Sequence, residues 1–313
     1  MSFTFTPATK EQAKARIALA GPSGSGKTYT ALITAQALAG AGGKVAVIDT
    51  ERESASLYAD EFAFDTLTMH TYDPRDLVRA LAAAGEAGYN TVVVDSLSHF
   101  WMGTAGMLEQ VDNAAKRSYG GNSFGGWKEA RPMERQMIDA ILAYPGHVIV
   151  TMRTKTEWVV QENERGRKEP KKIGTKPEQR EGIEYEFTIV GDMDLEHTLV
   201  VSKSRAKPLA DAVIRRPDEQ FGRTVLEWLG QGKPMPSALD YRDTAIAVGG
   251  TYAELRALHE TVKRRGMLGA AVIDDTGETV MLGDLIVARG KAAYAVEQQG
   301  AAAEQPGATG GDE

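Results

Sequence analysis

Eight consecutive residues, Gly21-Pro22-Ser23-Gly24-Ser25-Gly26-Lys27-Thr28, carry the clearest chemistry in this sequence. They fit GxxxxGK[S/T], a loop whose glycines let backbone N–H groups turn inward around a phosphate. The helix that must follow contributes its partially positive N-terminus. Lys27 is placed to reach β- and γ-phosphate oxygens, and Thr28 to ligate Mg²⁺. The pattern implies a site for ATP or GTP. A second piece of the same chemistry is Asp95, which closes the apolar run Thr91-Val92-Val93-Val94-Asp95. A carboxylate at the carboxyl end of a buried strand sits where Mg²⁺ needs an oxygen partner, directly or through water.

Two further stretches pair cations with aromatic rings or with one another. Residues 114–127 (AAKRSYGGNSFGGW) hold Lys116, Arg117, Tyr119, Phe124 and Trp127 among glycines. Cations for phosphates and rings for bases are what single-stranded nucleic acid requires, although such rings also close over a protein core. Residues 153–180 carry nine Lys/Arg against five Glu, including Arg165, Arg167, Lys168, Lys171 and Lys172, in a chain whose net charge is −7. Any nucleic-acid site is therefore local. Residues 161–181 have almost no apolar side chain and are expected to be a mobile loop. Ser98-His99-Phe100-Trp101 reads as core, with His99 a packing residue.

These groups need a scaffold, and the hydropathy pattern supplies one. Short apolar strands are expected at 16–20, 44–49, 64–70, 91–95 and 147–151, and helices at 28–38, 74–84 and 132–143, the last opening on Pro132. Strands alternating with helices imply a parallel, doubly wound α/β sheet. An antiparallel pair is expected at 185–190 and 195–201, joined by Gly191-Asp192-Met193-Asp194. The expected organisation is an arm over 1–15, a core over 16–230, a small helical region over 231–296 and a disordered tail over 297–313. The region's helices are expected at 238–248, 252–265 and 282–296. At 313 residues without cysteine, and with no apolar run of membrane-spanning length, the chain reads as a soluble cytoplasmic protein without disulfides or thiolate metal sites.

The order of phosphate loop, acidic strand end, glycine-aromatic loop, basic loop and terminal hairpin resembles the RecA-like P-loop ATPase core. More closely, it is similar to phage P-loop proteins that include Sak-type single-strand annealing proteins and AAA-domain nucleotide-binding proteins. The resemblance covers about the first 230 residues and implies a mostly parallel sheet with a terminal antiparallel hairpin. It implies that Glu51, after Ile48-Asp49-Thr50, is the general base for the attacking water, and that Tyr58, seven residues on, stacks on adenine. Residues 114–127 and 154–184 fall in the places of the two DNA-binding loops. Lys203-Ser204-Arg205 resembles the paired cations that reach into a neighbouring subunit's nucleotide site. Phe5 and Ala8 resemble a polymerisation tether. The chain departs from the pattern at Thr151-Met152-Arg153, where RecA has asparagine and glutamine, so Arg153 is the candidate phosphate sensor.

The implied function is an ATPase, DNA-stimulated and Mg²⁺-dependent, that binds single-stranded DNA as a homo-oligomer, ring or filament, with no membrane partner. It would act in phage strand annealing or pairing. The alternatives are a helicase or DNA-packaging motor, a nucleotide-switched binding module without significant turnover, and a small-molecule kinase.

Overall fold

The computed structural model describes residues 13–117, 123–162, 168–230, 233–247 and 250–303. The proposed tether at Phe5 and Ala8, and Tyr119, Arg165 and Arg167, lie outside them. The chain opens with β1 (Arg16–Gly21), every residue of which is buried. It continues through α1 (Lys27–Ala39), β2 (Val45–Asp49), β3 (Asp65–Thr68), α2 (Pro74–Glu86) and β4 (Thr91–Asp95). Next come α3 (Leu97–Met102), α4 (Met107–Arg117), α5 (Ser123–Ala143), β5 (His147–Glu162) and β6 (Lys168–Pro177). Strands β7 (Ile189–Met193), β8 (Thr198–Ser204) and β9 (Val213–Arg215) precede α6 (Glu219–Gly230).

The strand order is β3-β2-β4-β5-β1-β7-β8-β9, with β6 paired to β5. Pairings from β3 through β7 are parallel, whereas β7–β8, β8–β9 and β5–β6 are antiparallel. This is the mostly parallel α/β sheet with a terminal antiparallel hairpin that the alternation of elements predicts. Apolar strands are required because both faces are covered. On one face α2 and α5 supply Leu77, Leu81, Met137 and Ile141. On the other α1 and α6 supply Leu32, Ala35, Phe221 and Val225. Buried Arg16 donates to the carbonyls of Ala15, Leu142, Tyr144 and Gly146, so the end of α5 is tied to β1.

Four sequence expectations are corrected. Of the expected mobile loop over 161–181, the described residues 161–162 and 168–177 are strand: β5 runs on beyond the core and pairs with β6 from Thr154↔Pro177 to Glu162↔Lys168. Main-chain pairing, which hydropathy does not register, orders this hairpin. The described residues of the glycine-aromatic stretch, 114–117 and 123–127, are helical, and α5 begins at Ser123 with Pro132 inside it. Ahead of Pro132 the helix packs closely on α4, where a Cβ at Gly126 would strike the Val111 carbonyl. The terminal hairpin turns at 194–197, where the Asp194 carboxylate accepts from the N–H groups of Glu196 and Thr198, both at 2.9 Å. Finally, the region after 233 is not only helical. Helices α7 (Ala238–Ile246) and α8 (Tyr252–Arg264) are followed by an antiparallel hairpin, β10 (Ala271–Ile273) and β11 (Thr279–Met281). Helix α9 (Leu282–Ala303) extends into the stretch expected to be a disordered tail.

Candidate nucleotide site

The phosphate loop joins β1 to α1 and takes the shape its glycines allow. Gly24 and Gly26 have φ of 80° and 88°, in the left-handed region that costs an L side chain strain. A Cβ at Gly21 would sit 2.6 Å from the Met193 carbonyl oxygen, so that position is closed to side chains as well. The loop borders a cleft of about 460 Å³ that also receives Glu51, Tyr58, Asp95 and Arg153. Three strand ends deliver these groups side by side: Asp49 pairs with Asp95 across β2 and β4, and β5 runs next to β4 as far as Val150 and next to β1 up to Arg153.

Asp95 is nearly fully buried. Its Oδ2 accepts from Thr28 Oγ1 at 2.6 Å, and its Oδ1 accepts from Thr151. Burial raises its carboxyl above the usual range, with those two hydrogen bonds opposing the rise. Lys27 folds back to donate from Nζ to the Pro22 carbonyl at 2.8 Å. Burial holds its ammonium below the ordinary lysine value, against the pull of Asp95 and Glu51. Thr28 Oγ1 and the Asp95 carboxylate form a hydroxyl–carboxylate pair of hard oxygens. With phosphate oxygens and waters, that set suits Mg²⁺. The left-handed glycines leave backbone N–H groups at the mouth of the cleft, and a Cβ at Gly24 would meet no atom within 4 Å. The residues present therefore fit a nucleotide polyphosphate with its magnesium.

Glu51 leaves β2 through a turn held by buried Asp49, whose carboxylate accepts from the Glu51 N–H at 2.6 Å and the Ala55 N–H at 3.3 Å. The partner of the Glu51 side chain is distant in sequence. Arg153, from β5, donates through Nε to Glu51 Oε1 at 2.8 Å and pairs its Nη2 with Oε2. Burial pushes the Glu51 carboxyl up, but the Arg153 hydrogen bond and charge outweigh it, and the group lies below the usual range. Reciprocally, the hydrogen bond to Glu51 holds the guanidinium above its ordinary value. His99 stacks on Tyr72 with ring centroids 4.9 Å apart, and its Nδ1 is 4.0 Å from Glu51 and 2.7 Å from Thr50 Oγ1. Burial lowers its pKa. The side chain read as packing thus stands behind the carboxylate at the cleft.

A second hollow, of about 520 Å³, shares Gly26 and Tyr58 with the phosphate cleft and adds Tyr29, His197, Arg216 and Asp218. Tyr29 meets Tyr58 edge to face at 5.7 Å. Sequence reading placed only Tyr58 here. The others come from α1 and from the two ends of the β8–β9 excursion, and no local motif joins them.

Other expected residues lie apart. Lys203 Nζ donates to the carbonyls of Glu184 and Tyr185, and Arg205 is exposed; neither borders the cleft of its own chain. Lys116 and Arg117 close α4, with Arg117 paired to Glu129 at 2.6 Å. Phe124 is exposed on α5, whereas Trp127 is half-buried against Trp101. Lys168, Lys171 and Lys172 run along β6, opposite Glu162, Val159 and Trp158 in the ladder.

Residues 13–216 match the family model of an AAA domain, more than half of the chain. The chain belongs to the AAA-domain family. No curated protein matches it significantly in sequence. Similar solved structures include a KaiC-like protein of the hyperthermophilic archaeon Pyrococcus horikoshii, at 15% identity and a TM-score of 0.38, covering 64% of this chain and 84% of that one. Another is the flagellar accessory protein FlaH of Methanocaldococcus jannaschii, at 10% identity and a TM-score of 0.33, covering 66% and 88%. This AAA-domain chain has no helix, among the described residues, long and apolar enough to cross a membrane.

Proposed function

We propose that this AAA-domain chain is an ATPase that binds single-stranded DNA and works as a homo-oligomer in strand annealing or pairing. The observation that carries the nucleotide half is the convergence of Lys27, Thr28, Asp95 and Glu51 on one cleft. Mg²⁺, when bound, would be held by Thr28 and Asp95 and would supply positive charge against that of the phosphates. Lys27 leaves the Pro22 carbonyl for the phosphates, which are the stronger acceptor. Tyr58 and Tyr29 offer rings to the base. Glu51 orients the attacking water and takes its proton.

Glu51 is paired with Arg153. The phosphates of an incoming nucleotide compete for that guanidinium, since a bidentate cation binds phosphate as it binds carboxylate. Their capture of Arg153 frees the base only when substrate is present. Lys203 and Arg205, standing outside their own cleft, suit a role at a neighbouring subunit's nucleotide. The lysines along the β5–β6 hairpin, which continues the strand that carries Arg153, support a nucleic-acid contact next to the nucleotide.

The nucleotide half is tested by following phosphate release with Mg²⁺ supplied and then chelated, in the native chain and in Lys27→Ala. Release that needs both Mg²⁺ and Lys27 is expected. Release indifferent to both would remove this cleft from the reaction. One observation favours a second reading: the Glu51–Arg153 pair would also keep a nucleotide-switched binding module from turning over, and binding without phosphate release would select it.

A further inference from the structure

A separate cleft of about 650 Å³ opens beside the nucleotide site, between α3, α5 and the segment that follows β6. One wall is aromatic: Trp101 on α3 and Trp127 on α5 lie with ring centroids 5.7 Å apart at 34°, each half-buried. Along the rim of α5 stand Arg131 and Arg135, one helical turn apart and exposed, each attracted to a carboxylate of the cleft, Arg131 to Glu134 and Arg135 to Asp139. The floor is polar. Arg180 donates to Glu186 at 2.9 Å, and its Nε lies 3.1 Å from Glu134 Oε1. That approach is misaligned, so both atoms are buried without a hydrogen bond. A buried carboxylate oxygen in that position has lost hydration that the ion pair only partly restores.

We infer that this cleft is a base-binding subsite for single-stranded nucleic acid, with Trp127 and Trp101 as the stacking wall and Arg131 and Arg135 as the contacts to flanking phosphates. The inference rests on the single-strand reading above and says where on the chain a base is held. Three features select this ligand class. Rings at one side and guanidinium groups at the rim match a base with its backbone. Glu134, whose side chain is 14% exposed, offers the cleft a carboxylate for base N–H groups. The cleft as a whole balances three arginines against Glu134, Asp139 and Glu186, so a base fits inside while phosphate charge stays at the rim beside Arg131 and Arg135.

The cleft is also wired to the nucleotide. Trp101 lies on α3, the short helix that begins two residues after Asp95. On the opposite side Glu178 borders the phosphate cleft and Arg180, two residues on, borders this one. Between them buried Gln179 donates to the Leu97 carbonyl at 3.1 Å, and the Glu178 N–H donates to the Arg153 carbonyl at 2.7 Å. The Arg153 main chain thus touches the segments behind both walls, its N–H donating to Ser98 Oγ on α3 at 2.9 Å and its carbonyl accepting from Glu178.

The experiment compares fluorescence anisotropy of two labelled oligodeoxynucleotides of equal length, one with bases and one abasic, on the full chain. Stacking predicts that the native chain prefers the strand with bases by about tenfold. Trp127→Leu should bring that ratio close to one. Arg131→Ala with Arg135→Ala, both surface changes that leave the core intact, should weaken both strands and flatten the salt dependence by about 1.4 logarithmic units per tenfold of salt. If the native chain binds single strands but neither variant changes the ratio or the slope, the cleft is overturned and the single-strand reading stands. If the native chain binds neither oligonucleotide, the single-strand reading falls and takes the cleft with it.

Discussion

Replacing Glu51 by glutamine separates two roles that the structure gives to one side chain. The amide keeps the shape but accepts no proton and carries no charge. Loss of a general base costs at least ~100-fold in turnover, about 2.7 kcal/mol of transition-state stabilisation. Nucleotide affinity should move the other way. The Glu51–Arg153 pair has side chains 20% and 45% exposed, so solvent screening limits it to roughly 0.5–1 kcal/mol. ATP must displace that pair to engage Arg153. Removing the carboxylate relieves the competition, and ATP should bind about two- to fivefold more tightly to Glu51→Gln than to the native chain. Titration calorimetry gives the affinity and single-turnover phosphate release gives the rate. Native turnover in the variant would refute Glu51 as base. Unchanged or weaker ATP binding would refute the competition for Arg153, even if turnover fell as expected.

Three other outcomes are expected. Lys27→Ala should lose nucleotide binding; mixed with Arg205→Ala it should recover part of the hydrolysis rate if Arg205 serves a neighbouring subunit, and no recovery at any mixing ratio would count against that role. Charge reversal at Lys171 and Lys172 should weaken single-strand binding and flatten its salt dependence, whereas an unchanged slope would leave the hairpin a solvated arm. Buried His147 accepts the Ala15 N–H at 2.9 Å, and burial lowers its pKa from 6.5 to about 3. The unfolded chain gains a proton as pH falls through 6.5 and the folded chain does not. Stability should therefore be complete above that value and fall by up to ~1.4 kcal/mol per pH unit below it. Urea unfolding of His147→Asn, which keeps an acceptor, should show a shallower acid limb; an unaltered limb would assign the loss to other groups.

The phosphate loop was legible because all its chemistry is contiguous: each glycine, Lys27 and Thr28 has its reason within eight residues and two flanking elements. The parallel sheet was legible because strands buried on both faces must be apolar, as Thr91–Asp95 is. Pairings between distant residues were not. Nothing local to Glu51 announces Arg153, which β5 brings alongside, and nothing near Trp127 announces Trp101. The strand residues within 161–181 were not legible because their order comes from main-chain pairing, and Pro132 reads as a helix start although α5 begins nine residues before it, packed closely on α4 at Gly126. His197 and Arg216 reach the second hollow from a sheet excursion whose turn, fixed by Asp194, falls a few residues later than the glycine suggested.

The most direct test is steady-state ATP hydrolysis by the purified chain with Mg²⁺, with and without single-stranded DNA, at low and moderate salt. Stimulation by the strand that fades as salt rises is the predicted result, because β5 carries Arg153 to the phosphate cleft and runs on into the lysine-bearing hairpin, and Glu178 at that cleft stands two residues from Arg180 in the Trp101–Trp127 cleft. Hydrolysis that proceeds at the same rate whatever strand or salt is added would contradict that link and direct the search to a protein or small-molecule partner.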